Sequence, residues 1–127
     1  MFEIKADPEK NRLYITLGRL DLETVKEAVR VLGKEVWKLS AGFTVLNDLS
    51  EYSPVSQEVA LHIRRGQGIL KKAGMGRGVR VVSSSLADLQ FSRRASQAGL
   101  EVTTVKTLEE AWKVLEEWER EDAGKGG

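Results

Sequence analysis

The sequence has no cysteine, one histidine and two prolines, and it contains no long uncharged run. The absence of cysteine excludes disulfides, thiolate metal sites and cysteine nucleophiles. The single histidine, His62, excludes a histidine-based metal cluster and would have to serve alone in any Ser-His-Asp triad. No stretch approaches the roughly 20 apolar residues of a membrane span, and Met1–Lys5 lacks the apolar run of a signal peptide. These absences predict a cytoplasmic protein that is not an enzyme and has no metal or cofactor.

Length and charge favour a single domain. The 127 residues, of which 41% are hydrophobic, suffice for one buried core. The net charge of +1 gives no case for DNA binding. The charge is unevenly distributed, since residues 56–100 carry eight Lys or Arg against two Asp or Glu, and residues 101–127 carry four against eight. The middle of the chain is therefore basic and its end is acidic.

The first third of the chain predicts a β-hairpin and a helix. Phe2–Ala6 alternates apolar and polar side chains, Arg12–Leu17 is rich in β-forming residues, and Asp7–Asn11 between them is turn material. The helix that follows has Asp21 as its N-cap and Gly42 as its stop. Its apolar face, spaced by three and four residues, consists of Leu22, Val25, Val29, Leu32, Val36 and Leu39.

A buried strand and a second helix come next. Phe43–Leu46 is a short apolar run that turns polar at Asn47 and Asp48, as a strand does on leaving a sheet. After a loop of Ser, Tyr and Pro, we expect a helix to start between Ser53 and Gln57. Its predicted buried residues are Val59, Ile63, Leu70 and Ala73.

Two glycines, Gly66 and Gly68, lie inside the second helix. Each costs roughly 1 kcal/mol of helix stability relative to alanine. A close approach to a neighbouring element is the predicted compensation.

The remaining chain alternates strands and helices. Val79–Val82 is a strand, Ser83–Ser85 leads into a helix that runs through about Ala98, and Glu101–Val105 is a short strand. A capping box at Thr107 opens the final helix. The apolar stripe of that helix consists of Leu108, Ala111, Trp112, Leu115 and Trp118.

The element order is therefore ββαβαβαβα, a single α/β domain over residues 1–118. Its mixed sheet is mainly parallel, and the initial hairpin adds an antiparallel strand. Residues 119–127 have no apolar side chain except Ala123, so we expect a disordered tail. In such sheets, ligands and partners gather at the C-terminal ends of the parallel strands.

A strand that ends in Asp48-Leu49-Ser50, followed by a short loop and a serine at the start of a helix, resembles the STAS domain, the fold of anti-sigma factor antagonists. The resemblance covers the element order and extends to stand-alone proteins similar to the sporulation anti-anti-sigma factor. It implies a protein partner, a kinase or an anti-sigma factor. In phosphorylatable members the loop carries Asp-Ser, then Ser or Thr, then Gly, and the partner kinase phosphorylates one hydroxyl. Here the stretch Pro54–Glu58 lacks that aspartate and glycine, and Ser53 and Ser56 supply the hydroxyls.

Two roles are open to Ser53 and Ser56. A helix N-terminus exposes unpaired N–H groups and a partial positive charge, which stabilise an added phosphate. Either serine is also a natural helix cap: Ser53 precedes Pro54 at a possible first helical position, and Ser56 caps a helix that starts later. Capping and phosphorylation are compatible.

Other polar residues are candidates at the same edge. Asp48 is comparable to the phosphorylated aspartate of a receiver domain, but the acidic pair that such a metal site needs is missing, so hydrogen bonds to loop amides are favoured. Ser83 and Ser84 either cradle an anion or form an ordinary tight loop. The middle of the chain also offers a basic surface, which either is simply solvated or meets an acidic protein, an anionic membrane or a phosphate backbone. Its residues are Arg64, Arg65, Lys71, Lys72, Arg77, Arg93 and Arg94.

Two classes of function follow from these observations. The first is a non-catalytic STAS-like interaction or regulatory module that docks a protein through Ser50–Glu58. One form of such a module is an anti-sigma factor antagonist-like switch. The alternative is a carrier or sensor that holds a small molecule or lipid at the C-terminal edge of the sheet, with Asn47, Asp48, Tyr52 and Ser83 as its binding residues. A homodimer through the stripe that contains Trp112 and Trp118 is compatible with both.

Overall fold

The computed structural model describes residues 1–83 and 99–125, and five strands of this part of the chain form one sheet. The strands are β1 (Phe2–Asp7), β2 (Arg12–Leu17), β3 (Thr44–Leu49), β4 (Arg77–Val82) and β5 (Glu101–Val105). They lie side by side in chain order, β1 antiparallel to β2 and every other neighbouring pair parallel. This sheet confirms the predicted α/β fold class and its opening hairpin. The helix expected to run through Ala98 lies outside the described residues.

Helices cover both faces of the sheet. The described ones are α1 (Leu22–Val36), α2 (Gln57–Ala73) and α3 (Leu108–Lys125). Helices α1 and α2 pack against each other over one face, called here the α1/α2 face, and α3 contacts β4 and β5 on the opposite face, called the α3 face. Each face buries its own apolar cluster, so the central strands are covered on both sides.

Strand β3 is longer than its apolar run. Val45 and Leu49 are buried on the α1/α2 face, and Leu46 is buried on the α3 face. Asn47 and Asp48, where the sequence predicted the exit from the sheet, remain within the strand. That prediction was wrong because β3 pairs with a strand on each side, and the backbone ladders hold residues 47 and 48 whatever their side chains are.

Helix α1 begins as predicted but ends early. The Asp21 side chain caps it by accepting a hydrogen bond from the Thr24 N–H at 2.8 Å. The helix ends at Val36, well before Gly42. The N–H of Leu39 donates to a carbonyl three residues back, so the chain leaves the helix through a tight turn that still packs Leu39 against the core.

Helix α3 continues to Lys125, through the segment where the sequence predicted disorder. Glu119 accepts a hydrogen bond from Arg12 at 2.8 Å, and Glu121 accepts one from Arg77 at 3.2 Å. Both arginines start strands of the sheet. Opposite charges thus hold the polar end of the helix, an interaction that apolar periodicity does not report.

Candidate docking site

The loop between β3 and α2 runs along the C-terminal edge of the sheet. At its start, Asp48 Oδ1 accepts a hydrogen bond from the Ser50 N–H at 3.0 Å, which is the loop-amide contact that the sequence favoured. Ser83, just beyond β4, donates its hydroxyl to the Ser50 carbonyl at 2.8 Å. These two bonds tie the first turn of the loop to two neighbouring strand ends.

Tyr52 anchors the middle of the loop. Its side chain is only 5% exposed and belongs to the core of the α1/α2 face, and its N–H donates to the Leu49 carbonyl at 3.0 Å. Val55 is half-buried and packs against the same core. The side chains of Tyr52 and Val55 therefore turn inward, and the loop presents Ser50, Pro54 and Ser56 to solvent.

Ser56 is the N-cap of α2. Its hydroxyl accepts a hydrogen bond from the Val59 N–H at 3.3 Å, and the helix starts at Gln57. Ser53 is half-buried and is not the cap, so of the two serines that the sequence offered, the structure selects Ser56 for this role. Ser56 is exposed, and its hydroxyl lies at the positive end of the α2 dipole, with Glu58 in the same first turn.

The residues proposed to hold a small ligand do not converge. Successive residues of a strand point to opposite faces, so Asn47 lies on the α1/α2 face and Asp48 on the α3 face. Tyr52 is a core residue, and Ser83 is engaged with the loop. Ser84, Arg93 and Arg94 lie outside the described residues.

A small cavity between the sheet and helices α1 and α2 was not foreseen from the sequence. Its volume is about 80 Å³, and its walls are mostly apolar. Two buried oxygens in this region, Asn47 Oδ1 and Gln67 Oε1, have no hydrogen-bond partner within the described ranges. A space of this size accommodates a few water molecules but is smaller than the roughly 150 Å³ that admits benzene.

Helix α2 carries exposed basic side chains directly after the loop. Arg64 and Arg65 are exposed, and Arg65 is hydrogen-bonded to the ring of His62 at 3.2 Å. His62 is half-buried. Leu61, beside these cations, is 56% exposed. The loop and α2 thus form one continuous outer surface that combines hydroxyl, apolar and basic groups.

The described residues hold neither a cluster of metal-ligating side chains nor a membrane-spanning helix. Within residues 1–83 and 99–125, no group of three His, Asp or Glu side chains is placed to hold a metal ion. In the same ranges, no helix has the length and apolarity needed to cross a membrane.

By sequence, the chain matches no family model and no curated protein. By structure, it is similar to the anti-sigma factor antagonist SpoIIAA in its unphosphorylated form, with a TM-score of 0.61 and 17% sequence identity. The match covers 91% of this chain and 98% of that chain. At this low sequence identity, the structural similarity establishes the fold alone. The fold predicted from the element order and from Asp48-Leu49-Ser50 is therefore confirmed: the chain is a STAS-like α/β domain.

Proposed function

We propose that the chain is a non-catalytic regulatory module that docks a protein partner through residues 50–58, the loop and first turn of α2. The observation that carries the proposal is the exposed residue Ser56 at the α2 N-terminus, on a loop that Tyr52 and the Ser83–Ser50 bond hold in place. A fixed, solvent-facing loop loses little conformational entropy when a partner binds it. The similarity to SpoIIAA supports the same class of function.

Phosphorylation of Ser56 is the form of regulation that this position favours. A partner kinase would transfer the γ-phosphoryl group of ATP to Ser56 Oγ, with loss of the hydroxyl proton and release of ADP. The resulting charge is stabilised by the α2 N-terminus and repelled by Glu58. A partner that buries this turn must then desolvate the new charge, so docking is weakened.

The ligand-carrier alternative has less support. Its four binding residues point in different directions, and the cavity of about 80 Å³ on the α1/α2 face is too small for a lipid chain. An interaction module needs neither a cavity nor convergent polar side chains.

The docking proposal is tested with Ser56→Asp and a matched control, Ser56→Asn. Both residues cap helices about as well as serine, so both variants are expected to fold, and only the first adds charge. The wild-type chain is immobilised, its partner is recovered from a lysate of the source organism, and the affinity of each variant for that purified partner is measured. We expect Ser56→Asp to lose about tenfold or more in affinity and Ser56→Asn to bind nearly as wild type. Equal binding by the aspartate variant would exclude the switch, and intact-mass measurement of the chain from its native cells would show whether Ser56 is modified.

A further inference from the structure

The outer face of α2 carries a stripe of exposed residues spaced by three and four positions. The stripe, called here the α2 stripe, consists of Leu61, Arg64, Arg65, Gly68, Lys71 and Lys72. At 1.5 Å per residue it is roughly 17 Å long. It begins one turn after Ser56 and so continues the candidate docking surface along the helix.

Within the described residues, the cations of the α2 stripe lack the carboxylate partners that two arginines of the sheet have, since Arg12 pairs with Glu119 and Arg77 pairs with Glu121. Within residues 1–83 and 99–125, none of the four stripe cations forms an ion pair with a carboxylate. Lys71 donates to the Gly99 carbonyl, and Arg65 bonds the His62 ring. The stripe therefore keeps its positive charge available for an acidic partner.

Gly68 lies at the centre of the stripe, with arginines one turn before it and lysines one turn after it. Glycine destabilises a helix interior relative to alanine. At Gly66 the chain's own packing explains the residue, because an added Cβ would lie 3.4 Å from Leu32 Cδ2 of α1. Among the described residues, an added Cβ at Gly68 would meet nothing within 4 Å. Gly68 leaves a shallow saddle on the helix surface where the backbone of another element can approach closely.

We propose that the α2 stripe binds an acidic amphipathic helix of the protein partner, which crosses α2 at Gly68. In this arrangement the four cations face carboxylates of the partner helix, and Leu61 contacts its apolar side. The inference rests on the proposed function and names the partner chemistry of that surface. A small residue at a crossing point allows two helix backbones to approach closely. An extended nucleic acid has no need of such a residue, so Gly68 favours a helix as the occupant.

Other anionic surfaces fit the α2 stripe less well. The apolar face of α2, with Val59, Ile63 and Leu70, is buried in the core, so the helix has no face to insert into a lipid interface. The stripe has no aromatic side chain on which nucleic-acid bases could stack. Leu61, 56% exposed beside the cations, suits a protein contact.

The first test is photo-cross-linking from position 61. The full chain, with p-benzoylphenylalanine in place of Leu61, is produced in the source organism and irradiated, and mass spectrometry identifies the cross-linked species. We expect a protein segment in which Asp and Glu outnumber Lys and Arg and apolar residues recur every three or four positions. A basic segment, a nucleic acid, a lipid or the absence of any cross-link would overturn the proposal.

The second test separates docking from stability. The cross-linked segment is made as a synthetic peptide, and its affinity for Gly68→Ala is compared with that for Gly33→Ala. Gly33 is a glycine of α1 where an added Cβ also meets none of the described residues within 4 Å. Each alanine is expected to raise the melting temperature by roughly 2–5 °C. Only Gly68→Ala should weaken peptide binding, by about tenfold. Unchanged affinity for Gly68→Ala would contradict the crossing at Gly68.

Charge and loop variants complete the separation. The double variant Arg64→Glu/Arg65→Glu is expected to abolish peptide binding, and binding to the wild-type chain should weaken steeply as salt is raised. If Ser56→Asp lowers partner affinity but position 61 captures no acidic segment, the proposal for the α2 stripe is overturned and the proposed docking through residues 50–58 is supported. If position 61 captures the segment and Ser56→Asp binds the partner normally, the proposed phosphorylation switch is overturned and the proposal for the α2 stripe is supported.

Discussion

At the scale of single residues, Arg12 carries a buried charge with three compensating contacts. Arg12 is only 4% exposed. Its guanidinium donates a hydrogen bond to Glu119 at 2.8 Å and lies 5.7 Å from the centre of the Trp112 ring. Tyr14 adds a hydrogen bond at 3.3 Å. A buried cation needs such compensation because leaving water costs several kcal/mol. Sequence reading had singled out the tryptophans of α3 but not this arginine, since nothing local marks residue 12 as buried.

Removing the carboxylate partner of Arg12 should therefore destabilise the domain. We expect Glu119→Ala to lower the free energy of unfolding by about 1–3 kcal/mol, because the buried guanidinium loses its counter-charge. Urea denaturation measures the effect. Glu116→Ala, an exposed position on the same helix, is the matched control and should remain within about 0.5 kcal/mol of wild type. If the two variants are equally stable, Glu119 does not compensate Arg12.

At the scale of elements, Glu35 joins helix α1 to the edge strand β1. One carboxylate oxygen is bonded to Lys38 Nζ at 2.7 Å, and the other accepts a hydrogen bond from the Ala6 N–H at 2.9 Å. The bond to Lys38, and then the Ala6 bond, lower the pKa of Glu35 below its ordinary value of 4.5. The folded chain thus binds fewer protons at this site than the unfolded chain. The stabilisation is present above pH 4.5 and is lost as pH falls through the depressed pKa.

This linkage predicts a pH-dependent difference between the wild type and Glu35→Gln. Glutamine keeps an oxygen that can accept from Ala6 but carries no charge, so the wild type should be more stable near neutral pH. Below pH 4.5 the two unfolding free energies should converge as Glu35 becomes protonated. Urea unfolding at a series of pH values, with Glu23→Gln of α1 as an exposed control, measures this difference. Parallel curves for Glu35→Gln and the wild type would contradict the assignment.

The elements also show what sequence alone can and cannot predict. Hydrophobic alternation and spacing found every described strand and helix, because these patterns reflect which side chains are buried. The ends of elements were harder. Asn47 and Asp48 stay in β3 because strands on both sides pair with it, a non-local effect.

The candidate site was predictable to a similar extent. The loop at Ser50–Glu58 stood out from its composition and from the family resemblance. The choice of Ser56 over Ser53 as the cap depended on where α2 starts, and the core position of Tyr52 depended on tertiary packing. The expected close approach at Gly66 is present, against Leu32, whereas a Cβ added at Gly68 would meet none of the described residues within 4 Å. Contacts between elements far apart in sequence decided the positions of Tyr52 and Gly66.

At the scale of the whole molecule, α3 extends the regular structure of the chain beyond residue 118. It packs over β4 and β5, and its last turns pair with arginines at the start of two strands, through Glu119 with Arg12 and through Glu121 with Arg77. Arg77 also lies 4.6 Å from the centre of the Trp118 ring. The acidic end of the chain therefore pairs with the edge of the sheet opposite the loop at residues 50–58. In the part of the chain that the structure describes, none of its carboxylates pairs with a cation of the α2 stripe.

Truncation of the chain tests this view of the domain boundary. A chain shortened to residues 1–118 loses the three carboxylates that face Arg12 and Arg77, those of Glu119, Glu121 and Asp122, and we expect it to be less stable than the full chain by about 2–4 kcal/mol. A chain shortened to residues 1–125 keeps these pairs and should match the full chain in urea unfolding. Partner binding through residues 50–58 should survive in any fraction of the shorter chain that remains folded, since α3 packs on the opposite face of the sheet. Equal stability of the two truncated chains would place the end of the domain at residue 118, with the ion pairs of the last helical turns contributing nothing measurable.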